Sequence, residues 1–305
     1  MLFRSGADPD SPNHEGATAL FFAVNSRNIL ALNVLLCAGA NVDLAKHDGT
    51  SPLQKAITYG WEEGVKFLLL SGADANRYDG EGSFPPDYAT QVDNTNVVEM
   101  LLGAHACPNQ RNGDDDSALL CAVQDGKTEM VRLFLEYGAD VTKPCGDGGT
   151  LLSWAAAKGH GDIMRLLLKA GSHREQLVWS GTSSLHLAAC KCSIDVMTQL
   201  LRVGVDPNLI DDYNDSPLDC VINGKARFAA AELLLRAGAT LSDDAIEAIS
   251  RSENSKDVEM VKLLKRWPRI TTLVNLCLRV VYLEHENFQV PADFPVPLLE
   301  WNPHL

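Results

Sequence analysis

Ser183-Ser184-Leu185-His186-Leu187-Ala188-Ala189 reads as the start of a helix, with a hydroxyl where an N-cap is wanted and small Ala residues at close-packed positions. Its first leucine is one rung of a ladder. Leu20, Leu53, Pro86, Leu119, Leu152, Leu185 and Leu218 are spaced by 33, and each opens a comparable short apolar run. A second ladder keeps the same period, since Gly6-Ala7, Gly39-Ala40, Gly72-Ala73 and Gly138-Ala139 each follow a leucine-rich run. His105-Ala106 fills the missing multiple. Gly171-Ser172, Gly204-Val205 and, one residue late, Gly238-Ala239 continue the series. Two independent ladders at one period identify an internal repeat.

Every unit has the same physical logic. Thr18, Ser51, Thr150, Ser183 and Ser216 are placed to cap a first helix of roughly nine residues. A turn leads to a second helix, carried by runs such as Met130-Val131-Arg132-Leu133-Phe134-Leu135 and Ile163-Met164-Arg165-Leu166-Leu167-Leu168. The glycine that follows accepts the left-handed backbone of a helix end, and a stretch rich in Asp, Asn and Gly forms a projecting hairpin before the next cap. One such unit cannot bury its apolar face alone, so the core must form by stacking.

These units resemble ankyrin repeats, and the resemblance implies an all-α solenoid whose 33-residue helix-turn-helix units are joined by β-hairpins. Residues 1–240 are expected to form the array, with seven recognisable first helices, and residues 241–270 a divergent capping repeat that starts at Ser242-Asp243-Asp244. The chain opens inside a unit. Leu2-Phe3-Arg4-Ser5-Gly6-Ala7-Asp8-Pro9 matches the end of a second helix, so a truncated first unit with an exposed edge is expected. In the third unit Pro86 replaces the core leucine, which should weaken packing there.

The last 35 residues, 271–305, belong to neither ladder. Between Thr272 and Val281 the apolar residues Leu273, Leu276, Cys277, Val280 and Val281 mark one face of a helix. Further on, the alternate prolines of Phe294-Pro295-Val296-Pro297 forbid a helix and favour an extended segment. The tail resembles a SOCS box, a small three-helix element. In that family a Thr, Ser or Pro is followed by Leu, then Cys and an aliphatic residue at fixed spacing; Thr272, Leu273, Cys277 and Val281 fill the pattern in order. A cullin box reading Leu-Pro-Leu-Pro follows downstream, and Phe294-Pro295-Val296-Pro297 matches three of its features, with Phe294 in place of the first Leu.

Both boxes, in order, after ankyrin-like units, resemble the ankyrin repeat and SOCS box family, the substrate receptors of cullin-RING ubiquitin ligases. The resemblance implies elongin B/C binding through Thr272, Leu273, Leu276, Cys277, Val280 and Val281, and binding of cullin-5 with its RING partner, rather than cullin-2, through Phe294, Pro295, Val296 and Pro297. It implies a protein substrate on the repeats, and a cytoplasmic or nuclear place of action. A second reading stands beside it: the tail helix only seals the stack, and the chain is an ankyrin scaffold or inhibitor.

Composition narrows the alternatives. With 305 residues, 46% of them hydrophobic, disorder throughout is excluded. Twenty-six Lys and Arg against 40 Asp and Glu leave a net charge of −14, which repels nucleic acid and anionic membrane surfaces. The amino terminus lacks the apolar run of a signal peptide, and no stretch reaches the roughly 20 apolar residues that span a bilayer. Eight cysteines without Cys-x-x-Cys pairing read as free thiols, with neither a zinc site nor a disulfide framework.

No set of residues suggests an enzyme, a metal or a cofactor. His14-Glu15 and His285-Glu286 lack the second His of a zinc-protease helix. Gly146-Asp147-Gly148-Gly149-Thr150 lacks the Gly-Lys ending of a phosphate loop and falls at a hairpin tip. Asp114-Asp115-Asp116 lacks the spaced ligands of a calcium loop. His186-Leu187-Ala188-Ala189-Cys190-Lys191-Cys192 offers no second ligand pair, and His186 occupies a position from which an ankyrin-type histidine bonds within the stack. Hairpin tips and the outer side of the first helices are the expected target surface, with Tyr59, Glu81, Asp114, Asp116, Asp147, Trp179 and Tyr213 as candidate contacts. Carboxylates with aromatic anchors suit a basic segment carrying an aromatic or aliphatic side chain, although acidic tips also serve solubility alone.

Overall fold

The computed structural model describes residues 8–173, 177–223 and 228–240, and the chain divides into two compact units, Met1–Asp147 and Gly148–Leu305. Unit one pairs α1 (Ala19–Asn25) with α2 (Ile29–Cys37), α3 (Pro52–Thr58) with α4 (Glu62–Leu70), α5 (Pro85–Gln91) with α6 (Thr95–Gly103), and α7 (Ala118–Gln124) with α8 (Thr128–Glu136). Unit two pairs α9 (Leu151–Lys158) with α10 (Gly161–Lys169), α11 (Ser184–Cys190) with α12 (Ile194–Arg202), and α13 (Pro217–Asn223) with α14 (Phe228–Arg236). Within each unit first helices pack on first helices of neighbouring repeats, and most second helices on second helices. The expected capping repeat at 241–270 and the tail at 271–305 lie outside the described residues.

The leucine ladder is the core. Leu20, Leu53, Leu119, Leu152, Leu185 and Leu218 are each at most 1% exposed, and a fully buried leucine contributes about 2 kcal/mol. Thr18, Ser51, Thr150 and Ser183 accept the backbone N–H three residues on, as expected, and Ser117 joins them with a bond from Leu120 at 3.2 Å. First helices are shorter than expected, seven residues or, in α9, eight, whereas second helices have nine. Where glycine is missing from the ladder of helix ends, His105 takes the left-handed conformation itself, with φ of +66°. None of the described helices is long and apolar enough to cross a membrane.

The expected β-hairpins are not strands. Among the described residues only isolated bridges occur, Arg111 with Ser117 and Val178 with Thr182. The reason is a competing acceptor. Asn13, Asp79, Asn112 and Asp211 each use Oδ1 to take two backbone N–H groups of their own tip, at 2.9–3.0 Å. That closes a tight turn and leaves few groups for a ladder. Neighbouring tips are joined instead by single bonds, His47 N–H to Glu15 O and Gly80 N–H to Asp48 O in unit one, and Asp212 N–H to Ser180 O in unit two, each at 3.0 Å. The seam between Asp48 and Gly80 is tight enough that a Cβ on Gly49 would lie 2.3 Å from Gly80 N.

A second set of side chains ties one repeat to the next. Asp10, Asp43, Asn76 and Asn109 accept the backbone N–H of Asn41, Asp74, Cys107 and Asp140 at 2.6–2.9 Å, and Asn208 does the same for Thr240. Part of the chain's acidity is therefore structural.

The third repeat departs from the pattern, and differently from expectation. Its cap position holds Phe84, where the other repeats hold Ser or Thr, and the ring is 1% exposed, packed edge-on to Tyr78 at 6.0 Å between centroids. Pro86 is buried at the start of α5, where proline is tolerated. Phe84 therefore supplies interior volume in the repeat that lacks the leucine. Replacing it by Ser would regain a capping bond of about 1 kcal/mol but empty a site whose loss costs about 3–5 kcal/mol. Phe84→Ser is expected to lower the urea midpoint markedly, and an unchanged midpoint would show that the ring contributes nothing to packing.

Candidate functional site

The outward side of each first helix is set by the residue two beyond its core leucine. In unit one these are Phe22, Lys55, Tyr88 and Cys121; in unit two they are Trp154, Leu187 and Cys220. All are exposed or half-buried while their helical neighbours are buried, because a short helix packed on both sides leaves one stripe free. The stripe keeps the 33-residue period, but its residue types vary so widely that a search by identity passes over it. Of its members, none was among the candidate contacts read from the sequence.

In unit two the stripe has an aromatic centre. Trp154 on α9 meets Trp179 edge-on at 5.5 Å, and Trp179 sits in a 3-10 turn at the tip preceding α11, 36% exposed. Lys158, one turn further along α9, places Nζ 5.8 Å from the Trp154 ring. Tyr213 stands on the next tip, 75% exposed, its backbone N–H held by Asp211. Trp179 and Tyr213, both read from the sequence, are accordingly presented outward from one row of tips, and Trp154 is the partner that sequence reasoning missed.

In unit one the aromatic group is flanked by cations. Tyr59, at the end of α3, donates its hydroxyl proton to Asn25 Oδ1 at 2.7 Å, with Lys55 Nζ 4.2 Å and Arg27 5.9 Å from its ring. Glu81 and Asp114 are exposed at successive tips, each with its backbone N–H tied down. Asp116 is different: half-buried, it accepts the Gly146 N–H at 3.1 Å and braces a neighbouring tip. Asp147 is exposed at the end of the unit. Lys127 at the start of α8 is engaged internally, with Nζ bonded to Thr90 O at 2.6 Å and paired with Asp125 at 2.9 Å.

Asp87, behind the unit-one stripe, and Cys121, within it, are both perturbed. Burial, reinforced by Asp79 and Asp116, pushes the Asp87 carboxyl up to about 7, and burial pushes the Cys121 thiol up to about 11. His186 is 1% exposed, takes the Ser183 N–H on Nδ1 at 3.2 Å and meets Asp215 O through Nε2 at 3.0 Å, the expected scaffold role. Thr272, Leu273, Leu276, Cys277, Val280 and Val281, with Phe294, Pro295, Val296 and Pro297, lie outside the described residues.

Comparison with known proteins agrees with this architecture. A profile for ankyrin repeats in three copies matches residues 1–79 and 87–177, and a single ankyrin repeat matches residues 180–212. Among solved structures, the ankyrin repeat domain of Bcl-3, described as a unique member of the IkappaB protein family, is similar with a TM-score of 0.64 at 26% identity, covering 73% of this chain and all of that one. The human ASB11 ankyrin repeat domain is similar in fold, with a TM-score of 0.61 at 24% identity, covering 74% of this chain and all of its own. No curated protein sequence matches the chain.

Proposed function

The chain belongs to the ankyrin-repeat family, and from that premise we propose that it is the substrate-recognition subunit of a cullin-RING ubiquitin ligase. The repeats hold a target protein while the tail docks elongin B/C and cullin-5 with its RING partner. The chain does no chemistry itself; it raises the local concentration of target lysines near a charged conjugating enzyme, in the cytoplasm or nucleus. The observation that carries the reading is Thr272-Leu273 followed by Cys277 and Val281, with Phe294-Pro295-Val296-Pro297 downstream, at the end of an ankyrin array.

The direct test mixes the purified full-length chain with elongin B/C and follows co-elution. A stable complex is expected. Its absence would overturn the proposal and favour the second reading, an ankyrin scaffold or inhibitor, to which the likeness to the Bcl-3 ankyrin domain lends support.

For the target, the tips' carboxylates and the aromatic centre of unit two suit a basic segment with an aromatic or aliphatic side chain. Binding to such a target is expected to weaken as salt is raised. Trp179→Ala should cost on the order of tenfold or more in affinity, as aromatic anchors do, and Asp114→Asn only about twofold, as an exposed charge does. Interferometry with the two variants decides it; a salt-insensitive complex, or equal losses, would count against the assignment.

A further inference from the structure

The third residue of a first helix joins two repeats. In α3 it is Gln54: Oε1 accepts the Ser51 N–H at 2.8 Å, and Nε2 donates to Ser83 O, at the next tip, at 3.3 Å. In α11 it is His186, whose Nδ1 accepts the Ser183 N–H at 3.2 Å and whose Nε2–H donates to Asp215 O at 3.0 Å. Donor and acceptor stand 29 residues apart in both cases. Each acceptor also takes an N–H of its own tip, from Asp79 or Asp211, so both of its lone pairs are used.

Asp87 occupies this place in α5. Oδ2 accepts the Phe84 N–H at 3.1 Å, as Gln54 and His186 do for their caps, whereas the buried Oδ1 meets no donor. The carbonyl 29 residues on is that of Asp116, at the tip preceding α7, and α7 packs on α5. Asp116 O accepts the Asn112 N–H at 2.8 Å, and by the pattern of α3 and α11 its second lone pair awaits a side-chain donor. A carboxylate has no proton to give, but a carboxylic acid has one. We propose that Asp87 is a proton-operated latch between the third and fourth repeats: as the neutral acid its Oδ1–H donates to Asp116 O and holds the tip at residues 112–116, and as the carboxylate it releases that tip.

Ionisation sets a negative oxygen against a carbonyl oxygen in a buried place, where the opposition is little screened. The charged neighbours do not relieve it. Asp79 on the tip before α5 and Asp116 on the tip before α7 both oppose a charge on Asp87, and the Cys121 thiol of α7 is held neutral by burial and by Asp87 itself. Tyr88, beside it on α5, donates its hydroxyl to Asp79 Oδ2. Lys127 bonds Thr90 O toward the other end of α5 and is paired with Asp125. The remaining helices packed on α5 carry Lys55, in the outward stripe of α3, and Glu99, exposed on α6. Burial, with the two carboxylates, keeps the Asp87 proton up to about 7, and a bond that only the acid can make acts in the same direction. The latch therefore changes state near neutrality, whatever the repeats bind. The tip it holds carries Asp114 and, through Asp116 Oδ1, accepts the Gly146 N–H at 3.1 Å, so release reaches a candidate target contact and a second tip.

The test follows the carbon shifts of the Asp87 carboxyl and the Asp116 carbonyl by NMR in the full-length chain, from about pH 5.5 to about pH 8.5. The two are expected to move with one midpoint near neutrality. Through that midpoint, amide exchange at residues 112–116 should speed up about fivefold relative to residues 79–83, the tip that Gln54 holds at every pH. Referring one tip to the other cancels the pH dependence of exchange itself. In Asp87→Asn, where Nδ2 can donate at any pH, the Asp116 carbonyl should keep its low-pH shift and the tip its slow exchange. An Asp87 carboxyl already ionised at about pH 5.5, or an Asp116 carbonyl that stays still while Asp87 titrates, would overturn the proposal. So would a carbonyl that moves equally in Asp87→Asn, since the motion would then belong to the carboxylate of Asp79 or of Asp116 itself. The wild-type midpoints alone are decisive if the variant fails to fold.

Discussion

Leu273→Ala combined with Cys277→Phe is expected to abolish capture of elongin B/C while leaving thermal unfolding of the repeats unchanged. The spacing of the apolar residues in this segment is that of one face of a helix, and a leucine in a partner's pocket is the kind of anchor whose truncation costs about 2 kcal/mol or more, on the order of thirtyfold in affinity. Cys277→Phe acts by a separate route. A small residue at a close helix-helix approach cannot become a phenyl ring without displacing one partner, and overpacking typically costs about 1–3 kcal/mol. Together the two changes, about 3–5 kcal/mol, take a micromolar complex to the range of about 0.1–5 mM, beyond capture. If the tail were only a lid on the stack, the same double variant would lower the melting temperature instead. Retained capture with an unaltered melt would sink both the elongin assignment and the pattern on which it rests. Pro295→Ala with Pro297→Ala should leave elongin bound and lower cullin recruitment alone.

How far the molecule could be read in advance depended on whether a feature is carried by residue identity or by geometry. Leu20, Leu53 and their successors repeat as leucines because an interior site tolerates little change of volume, so the period and the core were legible. Phe84 was not. At the cap position the other repeats hold Ser or Thr, and only the folded structure reveals that the ring has turned inward beside Pro86. The β-hairpins failed for a related reason: Asn13, Asp79, Asn112 and Asp211 look like ordinary turn residues, yet the side chain of each takes the N–H four residues on that would have completed the backbone pair across the turn. Trp179 and Tyr213 could be chosen from the sequence because large aromatics at tips are conspicuous. Trp154 could not, since a tryptophan within a helix run is as easily core as surface, and only its rotation relative to Leu152 places it outward.

Asp87→Asn is expected to stabilise the protein at neutral pH and to leave it unaffected in acid. Asp87 is 2% exposed; Oδ2 accepts the Phe84 N–H at 3.1 Å, while Oδ1 has no partner. An unfolded aspartate ionises near pH 4, but in the fold this carboxyl holds its proton up to about 7, because burial and the charges of Asp79 and Asp116 oppose ionisation. Below pH 4 both states are protonated and the site contributes no pH-dependent cost. Between about 4 and about 7 the unfolded chain releases the proton and the folded one keeps it, so the unfolded state binds fewer protons and stability falls as pH rises. Above 7 the fold must bury a carboxylate. Asparagine keeps an acceptor for Phe84 and never ionises, which should return about 2 kcal/mol at pH 8 and almost nothing at pH 4. Urea unfolding of both proteins at the two pH values reads the difference directly, since every other carboxylate is shared and cancels. A gain that is equal at pH 4 and pH 8 would mean that Asp87 is not the group responsible, and a loss at pH 8 would mean that its charge is compensated in the fold.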